Sequence, residues 1–123
     1  MVQAVAPPGW PRPVVPAGVH GWEDSATAWL FDVSPPEFRS YPVLRRHPVV
    51  LVRFALTHAE AGLQASRSGL GEVRTSLRDH AEPETVDLAV VTWEREIARL
   101  LALRRSVGLV EEALRGRRFR PRL

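Results

Sequence analysis

Seventeen basic residues, every one of them arginine, carry the fixed positive side-chain charge of this chain. Two groups of them could bind an anion. Arg45 and Arg46 stand directly before His47, and the last nine residues hold Arg115, Arg117, Arg118, Arg120 and Arg122, with Phe119 among them and no acid. A guanidinium is a planar fork of donors that matches phosphate or carboxylate oxygens in pairs. Arginines interleaved with an aromatic suit a nucleic-acid backbone with a base stacked on the ring. They suit an acidic protein patch or anionic lipid heads less distinctively. The plainer reading is that Arg115 and its neighbours complement the negative end of a helix and that the tail is a solvated end. Glu37, Glu111 and Glu112 are near enough in sequence to neutralise part of the group. The absence of lysine fits codon usage in a GC-rich genome as readily as selection for bidentate contacts.

Catalytic chemistry has little to work with. The histidines, His20, His47, His58 and His80, fall in no metal-ligand spacing such as HExxH. His58 and Glu60 are two apart and would point to different faces of a helix. His47 precedes Pro48, where capping the following helix is as good a role as reaction. There is no GxSxG elbow, no phosphate-binding glycine loop and no cysteine, hence no disulfide, thiolate nucleophile or Cys-based metal site. Glu94 and Glu96 flank Arg95 and read as a solvated helix face with partners such as Arg99. No catalytic, cofactor-binding or metal residue is therefore expected, and the chain reads as non-enzymatic, with an unrecognised enzyme a distant third possibility. Trp10-Pro11-Arg12-Pro13 has two readings: a polyproline ligand for a partner's aromatic groove, or a staple tying the arm to its own domain. Gly21-Trp22-Glu23-Asp24 is most simply the start of a helix.

Apolar spacing sets the helices that carry these residues. Val49, Val52, Leu56, Ala59, Leu63, Ser66, Leu70, Val73 and Leu77 recur at steps of three and four. So do Val86, Val90, Trp93, Ile97 and Leu100, with Val107 and Leu114 continuing the stripe. His80-Ala81-Glu82-Pro83 lies between the stripes and can reverse the chain. Folding there brings them into register: Leu77 opposite Val86, Val73 opposite Val90, Leu70 opposite Trp93, Leu63 opposite Leu100, Leu56 opposite Val107 and Val49 opposite Leu114. Such constant pairing defines an antiparallel helical hairpin with coiled-coil-like spacing, its helices about 48–79 and 83–115. Each helix would be about 45 Å long. Pro48 and Pro83 suit first helical positions, and Gly116 suits the C-terminal stop. Glycines and serines between 62 and 71 weaken helix propensity, and the register supplies a reason: Gly69 and Gly71 flank the position facing Trp93 and leave room for its indole. A hinge is the alternative.

Nine of the eleven prolines lie in residues 1–48. Segment 5–18 cannot be helical and is expected to be an extended, polyproline-like arm. Trp22, Ala26, Trp29 and Val33 have helical spacing, giving a short helix at about 22–33. Ser34-Pro35-Pro36-Glu37 reads as a capped helix start at about 35–40, which must end before Pro42, and Pro42 to Arg46 allows one more turn. Val50, Leu51, Phe54, Ala55, Leu101, Leu103, Leu109 and Val110 fall outside the seam, near the open end of the hairpin. Residues 5–47 are expected to fold back as a cap over them; the rival is a second copy, giving a four-helix dimer. By strict register Arg104 and Glu111 would sit in the seam, so the seam is expected to shift there to Leu103 and Val110.

The run Ser34-Pro-Pro-Glu-Phe-Arg-Ser-Tyr-Pro-Val-Leu-Arg-Arg-His-Pro-Val-Val-Leu-Val-Arg-Phe, residues 34–54, and Val-Glu-Glu-Ala-Leu-Arg-Gly-Arg-Arg-Phe, residues 110–119, resemble short uncharacterised helical proteins of high-GC actinobacteria. The resemblance implies no activity and no site.

These readings combine into one all-α domain over 1–123: an arm at 1–21, short helices and cap at 22–47, a hairpin at 48–115 and a basic tail at 116–123. No run is apolar and long enough to span a bilayer, and the N-terminus lacks the basic region of a signal peptide, so a cytoplasmic location is expected. The function expected is an interaction or adaptor module binding an unknown protein partner, with Arg45, Arg46, His47 and the residues from Arg115 to Arg122 as contact surface. RNA or DNA association through the same arginines is the alternative.

Overall fold

The computed structural model describes residues 5–116, all-α and without a strand among them. Helix α1 spans Trp22–Asp32, a 3-10 turn spans Pro36–Ser40, and α2 spans Pro42–Arg46. The long helices α3, Pro48–Leu77, and α4, Pro83–Leu114, form the expected antiparallel pair. Among the described residues no helix is long and apolar enough to cross a membrane.

Helix boundaries follow the prolines and glycines. Pro42, Pro48 and Pro83 each stand at the first turn of their helix, where the missing N–H is not needed. Gly116 adopts φ +87° after α4, and its N–H donates to the Ala113 carbonyl, closing the helix as a left-handed stop does.

The seam is built as the spacing requires. Val52, Leu56, Ala59, Leu63, Ser66 and Val73 on α3 are buried, as are Val86, Leu100 and Val107 on α4. A Cβ placed on Gly69 would lie 2.6 Å from Trp93 Cζ2, so the indole occupies the space a side chain there would need. Gly71 has no such neighbour within 4 Å, so Gly69 alone makes the room. The shift of the seam also occurs: Val110 is fully buried and Leu103 packs against the core. Glu111 nevertheless stays near the seam, because Arg53 on α3 reaches across to both its carboxylate oxygens at 2.9 and 3.0 Å.

The N-terminal region caps the open end in cis. One core cluster joins Val14, Trp22, Ala26, Trp29, Leu30 and Phe31 to Leu44, Leu51, Val52 and Ala55, and to Val107, Val110 and Ala113 of α4. Burial of each large side chain in that cluster stabilises the fold by roughly 1.5–3 kcal/mol. The arm is tied down by polar contacts as well. Ser106 Oγ donates to the Gly9 carbonyl at 2.7 Å, and the Val15 N–H donates to Ser25 Oγ at 3.2 Å.

Three further local expectations need correction. The arm is not extended: the Pro7, Pro11 and Pro16 carbonyls each accept the N–H three residues on, and Gly9 and Gly18 supply positive φ, so it proceeds as a chain of turns. The turns bring Trp10, Val14 and Ala17 against the core at the open end of the hairpin. Ser34 does not cap a helix, and its hydroxyl finds no partner among the described residues. Pro36 forces Pro35 into an extended conformation, φ −55° and ψ 141°, so the turn begins one residue later, uncapped by a side chain. Finally, Val49 does not complete the seam opposite Leu114 and is 37 % exposed. The capping core draws Leu51 and Ala55 inward on the flank facing α1, and Val49 is left on the opposite flank.

Candidate interaction surface

The corner where α2 passes into α3 holds the first group of arginines. Tyr41 and His47 both have extended backbone, so α2 is a single turn held between two breaks. Leu44 is its buried anchor, while Val43, Arg45 and Arg46 remain exposed. His47 occupies the position before α3 without a side-chain capping bond; its carbonyl accepts the N–H groups of Val50 and Leu51. Neither Arg45 nor Arg46 forms an ion pair among the described residues.

Arg115 follows α4 at the same end of the hairpin, as the antiparallel pairing and the Arg53–Glu111 bridge require. It leans back on Glu111 at 3.4 Å. One carboxylate, 12 % exposed, therefore serves two guanidiniums, Arg53 and Arg115. The remaining tail positions, Arg117, Arg118, Phe119, Arg120 and Arg122, lie outside the described residues.

Sequence reasoning missed an aromatic surface beside this corner. Phe38, on the 3-10 turn, meets Phe54 of α3 edge to face, with ring centres 5.8 Å apart and planes at 83°. Tyr41 lies 6.4 Å and His58 6.0 Å from the same ring. Phe38, Arg53, Phe54, Thr57, His58 and Ala61 line an open groove of about 500 Å³ with no carboxylate in its walls. Phe54 remains 45 % exposed and Tyr41 46 %. The signal was the position of Phe54 outside the seam; what the sequence did not reveal is that the cap covers the Leu51–Ala55 flank and leaves this one open.

Other chemistry-bearing residues are dispersed. His20 and His80 are exposed at opposite parts of the chain, before α1 and in the hairpin turn. Among the described residues no group of three or more His, Asp or Glu side chains is placed to hold a metal. Glu96 pairs with Arg99 at 2.6 Å on the solvated face of α4. The hydrogen bond from Arg99 holds the Glu96 carboxyl below the ordinary glutamate range, against a smaller opposing effect of burial. Trp10 serves its own domain: its Nε1 donates to the Val14 carbonyl at 2.9 Å, and its ring lies 6.3 Å from that of Trp22. Trp10 is thus partly buried against the capping core, near the buried Trp22.

No protein-family model matches this chain, and no curated protein or solved structure matches it either.

Proposed function

We propose that this chain is a non-enzymatic helical interaction module, an adaptor whose contact surface is the α2–α3 corner together with Arg115 after α4. The observation that carries the reading is where the uncovered apolar side chains lie. Of the nine large hydrophobic residues left exposed among those described, Tyr41, Val43, Val49 and Phe54 fall within fourteen positions of one another. In sequence they bracket Arg45 and Arg46, which pair with no acid among the described residues. Apolar area with arginine among it and no lysine or glutamate is the composition of an interface centre. The arm and α1 cover the neighbouring flank, with Leu51 and Ala55, and leave this one open.

A nucleic-acid role, on RNA or the ribosome, is the second reading. It is favoured by the same arginines and by the positive end of α3 beside them, with no acid in the first turn of that helix.

Capture of the tagged protein from lysate of its own organism separates the two. An adaptor retains a stoichiometric protein after nuclease treatment and at raised salt, and loses it in the Arg45→Glu/Arg46→Glu variant. Recovery of RNA or DNA, with partners that vanish on nuclease treatment and binding that falls steeply with salt, would replace the adaptor reading by the second.

A further inference from the structure

We infer that the groove between the 3-10 turn and α3 is the seat for a large apolar side chain of an acidic amphipathic helix on a partner protein. The inference rests on the interaction-module reading and names the partner's chemistry.

The groove lies on the outer side of α3. Phe54, Thr57, His58 and Ala61 follow one another at helical spacing there, turned away from the buried Leu56, Ala59 and Leu63. Phe38 covers one side of Phe54 and stops, leaving a concave, mostly apolar wall that ends at the small Ala61. A bulky side chain entering from solvent would meet Phe54, Phe38 and Ala61 together. The polar residues of the wall are Arg53, Thr57 and His58, all donors or able to donate. Arg53 is already held in place by two bonds to Glu111, so it loses little freedom on meeting a second carboxylate. Because Glu111 is shared with Arg115, that pair of cations is only half neutralised. The complement of such a wall is an apolar anchor flanked by carboxylates, which an amphipathic helix presents at i, i+3 and i+4.

A nucleic acid fits this groove less well. Base stacking needs a free, flat ring face, and Phe38 and Phe54 already meet edge to face, so one of the two rings has a face taken. A phosphate backbone also needs a track of cations, whereas the wall holds one arginine.

The test uses the full chain and three fluorescent probes: a short synthetic helix with leucine and phenylalanine on one face and glutamate on the others, the same peptide with its apolar residues replaced by serine, and an oligothymidylate. Anisotropy gives affinity, and amide shift mapping locates the site. The expected result is that the amphipathic acidic peptide alone binds, perturbing residues 53–61. Phe54→Ser should weaken it by about tenfold. Ala61→Glu should weaken it similarly, at an exposed helix position where folding is not at stake, with circular dichroism confirming the fold of both variants. Equal binding of the serine peptide, binding indifferent to both substitutions, or shifts confined elsewhere would overturn the inference. Failure of the peptide to bind would overturn it as well, and so would oligothymidylate bound through Phe54. If lysate capture still yields a nuclease-resistant partner that ignores Phe54→Ser and Ala61→Glu, the groove assignment fails while the module reading survives.

Discussion

Gly69 and Gly71 sit two residues apart on α3 and meet opposite surroundings. At Gly69 a Cβ would collide with the Trp93 ring at 2.6 Å, and with Cε2 at 2.8 Å. At Gly71 nothing lies within 4 Å. Alanine improves a helix interior by roughly 0.5–1 kcal/mol over glycine. Gly71→Ala should therefore raise the midpoint of chemical unfolding. Gly69→Ala should lower it, because displacing a half-buried indole from the seam costs more than the propensity gain, typically 1–3 kcal/mol for overpacking. Paired denaturation curves check both. The charged residues offer a comparable contrast. Glu111 is nearly buried and binds two arginines, so Glu111→Gln should cost about 1 kcal/mol, read as a lower thermal midpoint. Glu96 is solvated, and its carboxyl is held low chiefly by the Arg99 hydrogen bond. Whatever stability that pair supplies is present above the unfolded glutamate value and is lost as pH falls through the folded one. Arg99→Gln should move the Glu96 titration upward, which carboxyl carbon shifts in an NMR titration would follow, with little change in stability at neutral pH.

At the scale of elements, the hairpin is set by two stripes of apolar residues and two prolines, Pro48 and Pro83, and these were legible in the chain because helical spacing and helix starts are local properties. The same was true of α1, whose Trp22, Ala26 and Trp29 are all buried. What was not legible depended on one segment acting on another. The Ser34-Pro35-Pro36 start looked like a capped helix, but Pro36 constrains Pro35 and moves the boundary. The arm looked extended because proline excludes helix, yet proline equally opens turns, and only its packing on the core selects between them. The fate of Phe54 was beyond reach for the same reason: it belongs to the same apolar excess as Leu51, and only the side on which α1 lands decides which is buried. Arg45, Arg46 and Arg115 were placed at one end of the hairpin by register alone, whereas the groove beside them was not foreseen. Val14 is the point at which the arm enters the core. Val14→Ala removes two buried carbons at about 0.8 kcal/mol each, before any cavity effect, and should lower the unfolding midpoint while shifting Trp22 emission to the red.

Across the whole molecule, thickness is uneven. At the open end α1, the arm and α2 cover the pair of long helices, and the core gathers there. Toward the hairpin turn the two helices stand alone, with Leu88 and Val91 exposed and Leu70, Val90 and Trp93 only partly covered. Opening free energies should follow that gradient. Amide exchange is expected to be fastest near the turn at 78–82, intermediate over 66–76 and 84–98, and slowest over 51–59 and 103–113. The gradient also separates two jobs: a rigid, capped end carries the proposed contact surface, and a thinner arm of the hairpin extends from it. Amide exchange on the purified protein, with and without its captured, nuclease-resistant partner, tests the contact surface. Added protection is expected over 41–61, with the arm at 7–19 and the hairpin turn unchanged. Protection confined to the turn, to the Trp93 face of α4 or to the arm, with 41–61 exchanging as in the free protein, would contradict it.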